Sequence, residues 1–149
     1  MKLKIFHLAF FCLIIFAGCS IKETVKNTSD QETLKERGAM YWGYICRQQF
    51  DKAYEFEYPV YRKKYTLMDY IRRFRPDVKW KSAAIENIEI KNDTAMMKVK
   101  VDTEVKMAVS RLPKRIEIKE QVVLNEKWIK VDGVWYHVPQ SFNGADKEV

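Results

Sequence analysis

Few residues in this chain have the types and spacing that chemistry requires. The 149 residues hold two histidines, His7 and His137, and three cysteines, Cys12, Cys19 and Cys46. Two His cannot supply a His-rich metal cage, and no nucleophile elbow, phosphate loop or metal-ligand spacing is present. The sequence therefore calls for no cofactor. His137 is the first suspect for proton transfer near neutral pH. Its place opposite Tyr136 and Val138 near the chain end favours a rim or solvent position. Cys46 has Arg47 beside it, which would favour the thiolate, but its helical phase with Trp42 and Gln49 argues for a packed thiol. Glu120 is a carboxylate in phase with Ile116, Ile118 and Val122. In a cavity its pKa would rise as a general base requires, whereas strand twist or an edge position would leave it in water, the simpler account. Thr103 falls in an inward stripe and reads as a core threonine. Among the many aromatics, Trp42, Tyr54 and Tyr58 are the candidates for lining an apolar ligand pocket, with Glu120 as its polar member.

The elements that must position these residues begin with an address. Lys2 and Lys4 precede an apolar run, Ile5 to Phe16, that ends in Ala17 and Gly18. This is a secretory signal layout, and about a dozen apolar residues fall short of the ~20 that span a bilayer. Phe16-Ala17-Gly18-Cys19 resembles the lipobox of bacterial lipoproteins, with Phe where an aliphatic residue is usual. The resemblance implies lipidation of Cys19 and a membrane-anchored mature chain facing the periplasm or the cell exterior. Ser20 in place of Asp resembles the outer-membrane default of Gram-negative lipoproteins. Loss of residues 1–18 removes Lys2 and Lys4 from the 27 Lys and Arg, leaving 25 against 20 Asp and Glu. Cys46 is then the one unmodified thiol, and no internal disulfide forms.

Residues 19–29 read as the lipidated cysteine and a flexible polar spacer. A helix N-cap at Ser29 or Asp30 then precedes Leu34, Gly38, Tyr41, Trp42 and Ile45 at spacings of three and four. A second helix, Phe50 to Tyr58, stops at Pro59, and a third covers Tyr65 to Phe74 before Pro76. From Ser82 onward the period changes to two. Ile85, Ile88 and Ile90 lead to a turn at Asn92-Asp93. A long strand follows with Ala95 to Val109 on one face and Lys98, Lys100, Asp102, Glu104 and Lys106 on the other. Arg111 to Lys114 form a loop. The next strand, Arg115 to Val131, slips phase near Val122-Val123 as a bulge would make it. Asp132-Gly133 makes a hairpin to Val134–Val138, and 140–149 is a loose tail.

Helices first and antiparallel strands after give an α+β domain over residues 30–139, with helices packed on a curved sheet of about four strands. The segments "FDKAYEF", "YPVYRKK" and the terminal "WIKVDGVWYHV" resemble the nuclear-transport-factor-2-like (cystatin-like) superfold. The resemblance implies a cone between helices and sheet, which in that superfold serves isomerases, dehydratases, transport adaptors and assembly domains alike. Three functions stay open on these grounds. The foremost is a non-enzymatic, lipid-anchored envelope domain that binds a small apolar ligand or an envelope protein. The second is a small-molecule enzyme, an isomerase, dehydratase or hydrolase, using Glu120 with a tyrosine. The third is a domain that dimerises through the charged sheet face. The basic run of Arg62, Lys63, Lys64, Arg72, Arg73, Arg75, Lys79 and Lys81 reads as a solvated face, or one turned to acidic headgroups or cell-wall carboxylates. Nucleic acid is not an expected partner of an exported chain.

Overall fold

A computed structural model describes residues 19–108 and 115–140 of the chain. The expected signal segment, the expected loop at 111–114 and most of the expected tail lie outside the described residues. The order is α1 (Cys19–Cys46), α2 (Phe50–Tyr54), α3 (Pro59–Lys64), α4 (Leu67–Ile71), β1 (Val78–Lys91), β2 (Thr94–Ala108), β3 (Arg115–Val131) and β4 (Val134–Val138). The four strands form one open antiparallel sheet in sequence order, with the helices against it, so the chain is α+β. Among the described residues no helix is long and apolar enough to cross a membrane.

Leu34, Gly38, Tyr41, Trp42 and Ile45 form the buried stripe of α1, as their spacing requires. Gly38 sets how close the helix comes. A Cβ there would lie 2.6 Å from Met97 Cε, so the missing side chain lets α1 sit directly on β2. The helix already includes Cys19, the first described residue, and residues 20–29 are helical where the composition suggests a spacer. That stretch has no Gly or Pro to stop a helix, and Asp30 does not cap one. Its carboxylate instead pairs with Lys130 of β3. The second and third helices are also shorter than periodicity predicts. α2 ends at Tyr54, and Pro59 does not close it but opens α3 at its first position, where a missing N–H costs nothing. A reciprocal Thr66–Asp69 capping box starts α4.

Alternation along β2 matches burial: Ala95, Met97, Val99, Val101 and Thr103 face the helices. The expected bulge in β3 is absent, since β2 and β3 pair without interruption from Thr94–Ile129 to Ala108–Arg115. The register shifts lie in β1, between Trp80 and Ser82 and between Ile85 and Asn87. The inward phase of β3 runs on through Val122, Leu124, Glu126 and Trp128. A carboxylate in an apolar stripe imitates a phase jump, and that is why the pattern misleads. Positive φ at Asp132 and Gly133 makes the tight turn into β4. On the outer sheet face the charges are matched across strands: Lys98 with Glu86 at 3.0 Å, Lys106 with Glu117 at 3.1 Å, and Asp102 with Ser82 and Gln121.

Candidate functional site

The chain between α2 and α3 leaves the helical path and joins the sheet. His137 N–H donates to Phe56 O and Tyr58 N–H donates to His137 O, both at 2.8 Å, so Glu57 lies beside the edge strand β4. This bridge places a carboxylate and an imidazole 80 residues apart in sequence within 2.9 Å, Glu57 Oε2 to His137 Nδ1. On the other side of the ring, Nε2 faces Glu126 Oε1 at 3.7 Å. Glu126 reaches this position because it has the inward parity of β3, two residues before Trp128, which pairs with His137 in register. From α1, Tyr41 O–H donates to Glu57 Oε1 at 3.1 Å and Trp42 Nε1–H donates to Glu126 Oε2 at 3.1 Å. From α4, Tyr70 O–H donates to Tyr41 Oη at 3.3 Å. Arg73 closes the cluster from above, hydrogen-bonded to Tyr61 Oη at 3.4 Å and lying over the Tyr61 and Tyr70 rings.

Burial is nearly complete: Glu57 is 0% exposed, and Glu126 and His137 are 5% each. Burial alone pulls the imidazole down, but the Glu57 and Glu126 carboxylates outweigh it and hold His137 above its ordinary 6.5. Burial pushes the Glu126 carboxyl up, against the opposing pull of His137 and the Trp42 hydrogen bond. Burial and then Glu57 push the Tyr41 and Tyr70 hydroxyls well up, so both stay protonated donors. The arrangement sets the imidazole between two acidic side chains, which favour its charged form. Tyr41 lies over the ring with centroids 4.7 Å apart, and Trp128 meets it edge-on at 5.5 Å. Each nitrogen of His137 thus has a carboxylate beside it, and two aromatic rings pack on the imidazole. Among the described residues no group of three His, Cys, Asp or Glu is placed to hold a metal ion. Here the two carboxylates lie on opposite nitrogens of one ring.

The residues singled out from sequence do not converge. Glu120 is exposed, as are its neighbours from Ile116 to Gln121, so its inward parity does not make a buried base. It borders a shallow depression of about 450 Å³ with Lys81, Asp102, Thr103 and Lys119. His137, expected at the rim, is instead in the core. Its parity partner is Trp135, which is fully buried, and that was the available signal. Tyr54 donates its hydroxyl to Tyr65 O at 2.6 Å and Arg62 O at 3.2 Å, which fastens α2 to α3. Tyr58 is half-buried and caps α3. Trp42 alone of the four candidates has an edge on a second depression of about 440 Å³ between α1 and β1. Ala39, Gly43, Ala83 and Ile85 line that groove, with Lys35 and Arg47 among its borders. Cys46 also touches it. Burial pushes that thiol up, with Arg47 pulling the other way, so it is a half-buried thiol and not an activated nucleophile.

No family model matches this sequence, and no curated protein does. Among solved structures, the chain is similar to a SEC-C motif containing protein from Rhodopseudomonas palustris, known from a solution structure. The two share 13% identity over 66% of this chain and 69% of that one, with a TM-score of 0.45.

Proposed function

We propose that this chain is an exported, lipid-anchored envelope domain of nuclear-transport-factor-2-like fold that holds a small apolar ligand in the groove between α1 and β1. The observation that carries the reading is that groove. Its volume of about 440 Å³ falls in the range of small-molecule sites, and small and apolar side chains form it next to an indole. Lys35 and Arg47 beside it suit a ligand with an acidic end. The lipobox resemblance at Phe16–Cys19 supports the anchor, and helices packed on a four-stranded antiparallel sheet support the superfold. The acid and base groups of the core serve the fold in this reading, because each is engaged by another side chain. An envelope protein laid over the same groove is the protein-binding form of the proposal. The second reading, a small-molecule isomerase, dehydratase or hydrolase, draws on His137 between Glu57 and Glu126 beneath two tyrosines.

Native mass spectrometry of the protein extracted from its own host tests both parts. The expected mass is that of a chain starting at Cys19 with a diacylglyceryl and an acyl group, plus one retained small molecule. Ala39→Trp should lose that molecule, because Ala39 is an exposed position on the groove wall. Its stability should stay within about 0.5 kcal/mol of the parent. A chain starting at Met1, or one without lipid, overturns the anchor. A lipidated chain that carries nothing overturns the ligand site.

A further inference from the structure

The charge of this protein is concentrated in one short stretch. Residues 59–75 hold six Lys and Arg against one acid, Asp69, in a chain whose net charge is +7. The stretch is α3 and α4 with the residues that follow them, and each of the two helices buries one tyrosine, Tyr61 or Tyr70, in the core. What the helices turn outward has a repeated design. On α3, Val60 is 39% exposed, and Lys63 and Lys64 follow it at the three- and four-residue spacing that puts them on the same side. On α4, Met68 is 57% exposed, and Arg72 follows it by four. Each helix therefore presents an apolar tip one turn from exposed cations. Asp69 offsets Arg72 at 3.2 Å and Asp77 offsets Arg75 at 2.5 Å, while none of the ion pairs found among the described residues includes Lys63.

The exposed Val and Met lie within one turn of exposed cations, so each short helix is amphipathic on its outward side. An anionic bilayer uses both: the cations lie among the headgroups, and the apolar tips reach the acyl boundary beneath them. We propose that the α3–α4 face docks on an anionic lipid surface, so that the domain lies against the bilayer and does not merely hang from it. Electrostatic attraction brings the face to the surface and weakens with salt, and the Val60 and Met68 tips supply the part that salt does not screen. This docking does not depend on lipidation of Cys19, and the experiment keeps the two apart.

The buried core runs from Leu34 to Pro139, so a chain starting at residue 19 with Cys19→Ser retains all of it and carries no lipid. Its sedimentation is measured with phosphatidylcholine vesicles, with and without phosphatidylglycerol. The expected result is co-sedimentation with the anionic vesicles alone, falling as salt rises. Lys63→Glu with Lys64→Glu should lower that partition at least about twentyfold. Met68→Ser should lower it about fivefold with no change of charge. Both variants alter exposed side chains, so unchanged thermal midpoints show that the fold is kept. Equal sedimentation with both vesicle types, or with neither, overturns the proposal. So does a double reversal that binds as the parent does. Binding to heparin or an acidic peptide without binding to vesicles would give the face to a soluble polyanion and also overturn it.

Discussion

His137→Ala lowers stability by about 3–5 kcal/mol, measured by urea unfolding, because it leaves Glu57 and Glu126 in the core without the imidazole between them. His137→Gln keeps a donor for Glu57 but not the charge, and its loss is smaller. The pH dependence separates the two terms. The folded pKa of His137 lies above 6.5, so its contribution is complete below about 6.5 and is lost as pH rises through the folded value. Glu126 is also held above its ordinary 4.5 and acts in the same direction, favouring the folded state most at low pH. Exposed carboxylates oppose this on the acid side. Asp69 is held low by Thr66, Asp77 by Arg75, Asp102 by Ser82 and Glu117 by Lys106, so what they add is lost as pH falls through their folded values. The parent should therefore lose stability as pH rises above about 6.5, and His137→Gln should flatten that slope. An equal slope in both proteins would show that His137 is not the charged centre of the core.

Trp128→Ala should cost about 3–5 kcal/mol as well, by a different route. Trp128 is fully buried, edge-on to Tyr41 at 5.8 Å and to His137 at 5.5 Å, and its removal leaves a cavity under the imidazole. Trp128→Phe keeps the ring contact and should recover most of the loss. Because Trp128 and His137 touch, Trp128→Ala with His137→Ala should cost less than the two single losses together. Additive losses would mean that the indole packs independently of the charged cluster.

The sequence singled out His137 but placed it at a rim, and it did not single out Trp128, and the reasons are physical. Periodicity reports the side of an element on which a residue lies. It found the stripe of α1, the alternation of β2 and the Asp132-Gly133 turn because each depends on near neighbours in the chain. It does not report how far along a strand the covering layer extends. Glu120 and Glu126 share one face of β3, yet one is exposed and the other is buried against Trp42. The Glu57–His137 pair is out of reach of any local pattern, since the two residues meet only once the chain between α2 and α3 joins β4. Two signals were nevertheless present. The supposed bulge at Val122-Val123 marked an acid in an inward position, and Trp135 marked the inward parity of β4. Tyr54 shows the converse: its hydroxyl looked available for a ligand, but two backbone carbonyls of α3 and its exit hold it.

The one imidazole after residue 18 is closed in by the fold, at 5% exposed, and its reaction with diethyl pyrocarbonate reports that burial. After residue 18 the chain has no histidine other than His137, so the absorbance of the modified ring reports a single site. The account predicts that the native protein resists modification under conditions in which free imidazole reacts at once, and that urea unfolding makes the site reactive. Rapid modification of the native protein would contradict it. The imidazole would then open to solvent as a catalytic base must, and the enzymatic reading of Glu57, His137 and Glu126 would take the place of the binding one.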